Sequence, residues 1–132
     1  MSQPLIMSFR PDAAEMCLDG RKTMTRRINN GGMTTLWSVG ESIAIKPGRT
    51  SKAVGRVMCT GLRVEHVRDI TKEDARREGV EPMPDRLFRG PKTYRSGFET
   101  VWSRLYPSGP KSWDANPLVV VIEFRPLKEG EA

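Results

Sequence analysis

The segment Ser42–Val67, SIAIKPGRTSKAVGRVMCTGLRVEHV, decides what kind of fold this chain can adopt. Ile43 and Ile45 alternate with Ala44 and Lys46, the period-two pattern of a strand, and Pro47-Gly48 stops it. From Lys52 onward the pattern is β again. Its apolar positions change phase around Thr60-Gly61, which predicts a bulge or a hairpin turn there, hence one bent strand or two. Strands that follow one another without intervening helices exclude a parallel, doubly wound sheet.

Outward from that segment, Leu5 to Phe9 is a short apolar run suited to a strand. Arg10-Pro11 then opens a helix with the apolar stripe Ala13, Ala14, Cys17 and Leu18, ended by Gly20. The polar stretch Asn29 to Thr35 (NNGGMTT) permits positive φ and is a candidate lid. Downstream, Thr71 to Gly79 (TKEDARREG) has a Thr with an acid three residues later and a closing Gly, the marks of a short helix. A Pro/Gly-rich loop is expected over Pro82 to Gly97. Phe98, Val101, Trp102 and Leu105 then fall on one helical face that should be buried, and Pro117 to Phe124 (PLVVVIEF) suits a strand covered on both sides. The order β, α, several β, α, α, β predicts an α+β fold: a small, partly closed β-barrel with short helices packed across its openings, in a single domain over residues 1–132.

The bulk chemistry narrows the function classes. Lys and Arg number 22 against 16 Asp and Glu, a formal charge of +6 that favours polyanionic partners without proving them. Cys17 and Cys59 lie far apart with His66 as the single imidazole, so spacing assembles no metal cluster; neither metal nor cofactor is expected. No apolar run approaches the ~20 residues of a membrane span, and the N-terminal MSQPLIMSFRPD lacks the order of a secretory signal, so a reduced, cytoplasmic setting is expected.

Three places could carry chemistry. In Leu18–Arg27 (LDGRKTMTRR), Arg21, Lys22, Arg26 and Arg27 surround Thr23 and Thr25. In extended backbone Thr23 and Thr25 share a face with Arg21 and Arg27, and Lys22 shares the other with Met24 and Arg26, so Lys22 and Thr25 need a turn to converge. A threonine hydroxyl is a weak nucleophile needing a base, and lysine is that base only when its pKa is lowered, as flanking arginines would do. The same cations would hold a phosphate, so the run reads as a reaction centre, a phosphate clamp or a solvated basic turn. Glu78, at the end of its helix, is opposed by the helix dipole at a cost of ~0.3–1 kcal/mol; it either has a compensating role or belongs to a solvated charged face. In Pro84–Gly97 (PDRLFRGPKTYRSG), Arg86, Arg89, Lys92 and Arg95 alternate with Phe88 and Tyr94. That pattern suits single-stranded nucleic acid, with rings on bases and cations on phosphates, unless the rings anchor the loop to the core. Trp102 and Trp113 read as core, Cys17 as a small apolar residue, and His66 as a strand-face histidine without a role.

Taken together, LDGRKTMTRR, SVGESIAI, TKEDARREGV, FETVWSRLY and NPLVVVIEF resemble the ASCH domain, a member of the PUA-like β-barrel superfamily, over nearly the whole chain. The G-R-K-T-x-T-R-R element carries most of the resemblance, and the W-x-x-N-P-apolar ending is similar to a subset found in bacteriophage and prophage genomes. The resemblance implies binding of RNA, single-stranded nucleic acid or a modified nucleoside in a basic cleft at the barrel mouth. Family members include an N4-acetylcytidine amidohydrolase and ribonucleases. In the amidohydrolase a lysine accepts the proton, a threonine three residues later is the nucleophile, and a glutamate ending the next helix donates the proton; by motif these fall on Lys22, Thr25 and Glu78. From their own pattern, not from that enzyme, Arg21, Thr23, Arg26, Arg27, Arg86, Arg89, Lys92, Tyr94 and Arg95 are the expected nucleic-acid or substrate contacts. Arg26-Arg27 and the long basic loop depart from the amidohydrolase and suit a polynucleotide or nucleotide as well as a nucleoside. Amide hydrolysis, ribonuclease action, non-catalytic reading of nucleic acid and a phage protein's grip on a host protein all stay open at this point. The oligomeric state is not legible.

Overall fold

A computed structural model describes residues 6–29, 37–85 and 87–131. Leu5, Arg86 and nearly all of the candidate lid lie outside the described residues. In chain order the elements are β1 (Ile6–Ser8), α1 (Pro11–Asp19), β2 (Met24–Ile28), β3 (Ser42–Lys46), β4 (Gly55–His66), a 3-10 turn (Val67–Asp69), α2 (Lys72–Arg77), α3 (Tyr94–Leu105) and β5 (Leu118–Pro126).

The deciding segment forms β3 and a single long β4. Residue Cys59 pairs with Phe124 while Gly61 pairs with Glu123, so Thr60 is the extra residue of a bulge and the phase change is a bend within one strand. The five strands run in the order β1-β3-β4-β5-β2, antiparallel except for the β1–β3 pair. β5 lies between β4 and β2, and Val119, Val120, Val121 and Ile122 are all fully buried. Alternate residues feed two cores. Val120, Ile122 and Phe124 join Met7, Cys17, Ile43 and Ile45 under α1, while Val119 and Val121 join Met24, Phe98, Trp102 and Trp113 under α3.

The expected barrel does not close. Among the described residues no backbone ladder joins the two edge strands, β1 and β2, and the sheet is open. Side chains span that gap instead. The Arg27 guanidinium donates from β2 to the Ser8 carbonyl of β1 at 3.0 Å and lies 4.7 Å over the Phe9 ring. β1 has only three residues to offer a ladder, and the contact between the two edges is made by a guanidinium and an aromatic ring.

The helices begin and end for local reasons. Pro11 opens α1, and Gly20 closes it at φ 87°. Thr71 caps α2 by accepting from the Asp74 amide at 3.1 Å. α3 starts at Tyr94, earlier than expected, because Thr93 caps it by accepting from the Ser96 amide at 3.0 Å; the expected loop therefore ends before Gly97. The expected buried face of α3 also needs correction. Phe98 and Trp102 are buried, but Val101 is 37% and Leu105 62% exposed. The buried stripe runs instead through Gly97, Phe98 and Trp102, and Leu105 stands at the helix end.

Candidate functional site

Lys22 and Glu78 meet although 56 residues separate them, and local backbone chemistry brings them together. Lys22 lies between α1 and β2, its amide donating to the Met16 carbonyl at 3.1 Å, and the next amide, of Thr23, donates to the Arg77 carbonyl at 2.9 Å. The start of β2 is thereby pinned to the end of α2. Glu78 caps that end, and Gly79 turns the chain at φ 87°. A Cβ on Gly79 would come 2.7 Å from the Met16 methyl and 3.3 Å from Lys22 Cβ. Only a glycine allows both the turn and the close approach.

In this corner the Lys22 ammonium donates to the Glu78 carbonyl oxygen at 2.7 Å and to its Oε1 at 3.1 Å. Arg26 donates to the other carboxylate oxygen, Oε2, at 2.9 Å. The awkward acid at a helix C-terminus is thus compensated twice, once by a cation on the terminal carbonyl and once by two cations on the carboxylate. Lys22, Glu78 and Thr25 are only 8%, 6% and 5% exposed. Thr25 lies within β2 opposite Ile122, and among the described residues no hydrogen bond joins its hydroxyl to Lys22 or Glu78. Phe9 completes the wall, with the Lys22 nitrogen 5.9 Å from its ring centre. Cys17 packs nearby; burial pushes its thiol up to about 11 against the opposing pull of Lys22 and Arg27. Burial also draws the Arg27 guanidinium below its usual value, with Glu78 opposing.

The remaining sequence-derived residues divide sharply. Arg26 is internal: its guanidinium has no exposed surface and donates to Glu65 at 3.0 Å, Asp74 at 3.2 Å and Glu78. Its Nε is buried without a partner. Thr23 accepts from Arg77 Nε at 3.0 Å, and Arg77 also holds Glu123 at 2.6 Å. Arg21 is on the surface, paired with Asp19 through its Nε at 2.8 Å. Arg89 and Lys92 are exposed, Tyr94 is half-buried against the α3 core, and Arg95 lies 5.3 Å over the Trp113 ring. None of these last four bonds to Lys22, Thr25 or Glu78.

Sequence reasoning missed Phe9, Glu65 and Asp74. Glu65 and Arg63, two apart on one face of β4, are joined at 2.7 Å, and Arg63 also holds Asp74 at 2.6 Å. That Arg-x-Glu spacing was the available signal. Asp74 gave no signal within the charged helix Thr71 to Gly79, because its side-chain partners Arg26 and Arg63 come from β2 and β4. Among the described residues, no group of three or more His, Cys, Asp or Glu is placed to hold a metal ion, and no helix is long and apolar enough to cross a membrane.

An α+β domain with an open, mostly antiparallel five-stranded sheet and an inward-facing Lys–Glu pair at one edge defines the class. Neither a protein-family model nor a curated protein matches the chain. Solved structures do. A protein of the DUF984 family from Enterococcus faecalis V583 matches with a TM-score of 0.62 at 16% identity, over 95% of this chain and 80% of that one. An ASCH domain from Lactobacillus crispatus JV V101 matches with a TM-score of 0.59 at 13% identity, over 92% and 79%. ASCH from Zymomonas mobilis gives 0.55 at 15%, over 91% of this chain and 65% of that one. The chain has the fold of ASCH-domain proteins.

Proposed function

We propose that this ASCH-type protein takes an acylated cytidine, free or within RNA, at the Lys22–Glu78 pair and hydrolyses its amide, with N4-acetylcytidine as the test substrate. The observation that carries this reading is the buried 3.1 Å contact between Lys22 Nζ and Glu78 Oε1, in the chain segment that also contributes Thr25.

That contact supports a division of labour. As an ammonium Lys22 cannot accept a proton. Transfer of one proton along the bond to Glu78 leaves a neutral amine and a carboxylic acid, a base and an acid formed in one step. The Lys22 amine then takes the Thr25 proton as Oγ1 attacks the amide carbonyl. The C–N bond breaks, and Glu78 gives its proton to the departing cytidine amine. A second passage of the proton from Lys22 to Glu78 lets the Lys22 amine deprotonate water, which attacks the acyl-threonine ester. Glu78 returns a proton to Thr25 Oγ1, and acetic acid leaves, releasing its proton to water as acetate. Thr25 must come within reach of Lys22 for this, and such hydrogen bonds commonly tighten only when substrate is bound.

A second reading rests on Arg26. Its 2.9 Å bond occupies the second carboxylate oxygen of Glu78, as expected of a cluster that serves only to fix β2 against α2. The protein would then bind RNA or a nucleoside without turnover. Chromatography of N4-acetylcytidine incubations separates the two. Cytidine release by the wild type and its loss in Thr25→Ala, with unchanged melting, supports hydrolysis; substrate binding without release supports the second reading.

A further inference from the structure

On the side of α3 turned away from the sheet, the chain between Glu78 and α3 builds a second feature that the Lys22–Glu78 site does not use. Asp85 organises a tight turn there. Its Oδ1 accepts from the amides of Leu87 at 2.8 Å and Arg89 at 2.9 Å, while its main chain pairs with Phe88 at 2.8 Å and with Arg89 at 3.1 Å. Within the turn Phe88 takes a left-handed backbone, φ 59°, and its side chain is left 82% exposed. A bulky residue at positive φ is strained, and four hydrogen bonds hold the strain to display an apolar ring in water.

Phe88 lines a small pocket of about 180 Å³, with Met83, Pro84 and Asp85 on the loop side and Thr100, Ser103 and Arg104 on α3; the Asp85 carboxylate is taken up by the turn's own amides. That is below the ~300 Å³ of a pocket for a drug-sized ligand and suits one flat ring. Ser103 Oγ is buried and, among the described residues, has no hydrogen-bond partner. Arg104 and Lys92 form no ion pair with a described residue, and the Arg89 guanidinium is only loosely paired, its Nε 4.0 Å from the Asp85 carboxylate. The feature therefore offers an aromatic face, an unused hydroxyl and the Arg104 cation, with Arg89 and Lys92 exposed on the same loop, on a chain of charge +6.

We propose that this pocket holds one base of a single-stranded nucleic acid, stacked on Phe88, with Ser103 bonding its edge and Arg104, Arg89 and Lys92 meeting the flanking phosphates. Stacking on an aromatic ring is tolerant of sequence, and the rim charges supply the salt-dependent part of the affinity. A protein partner fits less well, because a stable interface needs roughly 800 Å² per side, whereas this pocket is small and partly polar. The site is separate from Lys22, Thr25 and Glu78 and does not depend on hydrolysis.

Fluorescence anisotropy with labelled RNA and DNA single strands of about 10 nucleotides tests it. Phe88 is so exposed that Phe88→Ala should leave folding intact. The expected result is binding about tenfold weaker in Phe88→Ala, an unchanged salt slope, and rescue by Phe88→Trp. Arg104→Gln should instead flatten the slope by about 0.7 log units per log unit of salt. Hydrolysis of free N4-acetylcytidine by Phe88→Ala is expected at the wild-type rate, so failure here is distinguishable from failure of the proposed reaction. Wild-type affinity in Phe88→Ala, no binding of either strand by the wild-type protein, or a self-association lost in Phe88→Ala without any strand binding would each overturn the proposal.

Discussion

Glu78 shows how much a single side chain depends on its partners. Removing it leaves Lys22 and Arg26 buried with fewer counter-charges, and breaking a buried pair on one side costs about 3–5 kcal/mol. Glu78→Ala should therefore lose stability on that scale in denaturant melts, while Glu78→Gln, which keeps acceptor geometry, loses less. Both should lose turnover, since neither can carry the proton. Equal stability of wild type and Glu78→Ala would remove the pair from the account. Cys17 gives a second prediction, from pH. Its folded pKa is raised from 9.0 to about 11 by burial. For a raised pKa the contribution is fully present below the unfolded value and is lost as pH climbs from about 9 through 11, a difference of roughly 2–3 kcal/mol. Melts of wild type and Cys17→Ala should therefore converge across that window. Parallel curves would contradict it.

At the scale of elements, the most constrained junction is between the segment leaving α2 and the flank of α3. Gly97 is buried, and a Cβ there would collide with the Glu81 carbonyl oxygen. Main-chain atoms cannot swing aside as a flexible side chain can. Gly97→Ala should cost at least the 1–3 kcal/mol typical of overpacking, even though alanine is the better helix former. A raised melting temperature would show that the segment yields freely. Much at this scale was legible in the sequence because it is local: the phase change at Thr60-Gly61, the Thr71 cap and the unbroken apolar run of β5 all record what their own neighbours demand. Val101 and Leu105 misled for the opposite reason. Their helical spacing is apolar, but how far round α3 its neighbours reach is set by other elements.

For the whole molecule, closure was the least legible property. Alternation specifies strands without saying whether the outer two will pair, and here Arg27 and Phe9 fill the gap that a ladder would occupy. Arg27→Met should cost about 1.5–3 kcal/mol for a lost charge-assisted bond and speed amide exchange in β1; unchanged exchange would mean that the edge stands without it. The candidate site was legible in part for the same reason. Lys22 and Thr25 share one motif, but Arg26, which reads as a phosphate contact beside them, turns inward because β2 alternates and its face meets Glu65, Asp74 and Glu78. A reaction centre in this corner, as proposed, would pass through an acyl-threonine, whereas a brace between β2 and α2 would not. Intact-protein and peptide mass spectrometry after rapid acid quenching of the protein with N4-acetylcytidine tells the two apart. The expected result is an added acetyl group on the peptide bearing Thr25, absent in Thr25→Ala. Cytidine release with no acyl-enzyme, and at an undiminished rate in Thr25→Ala, would contradict it.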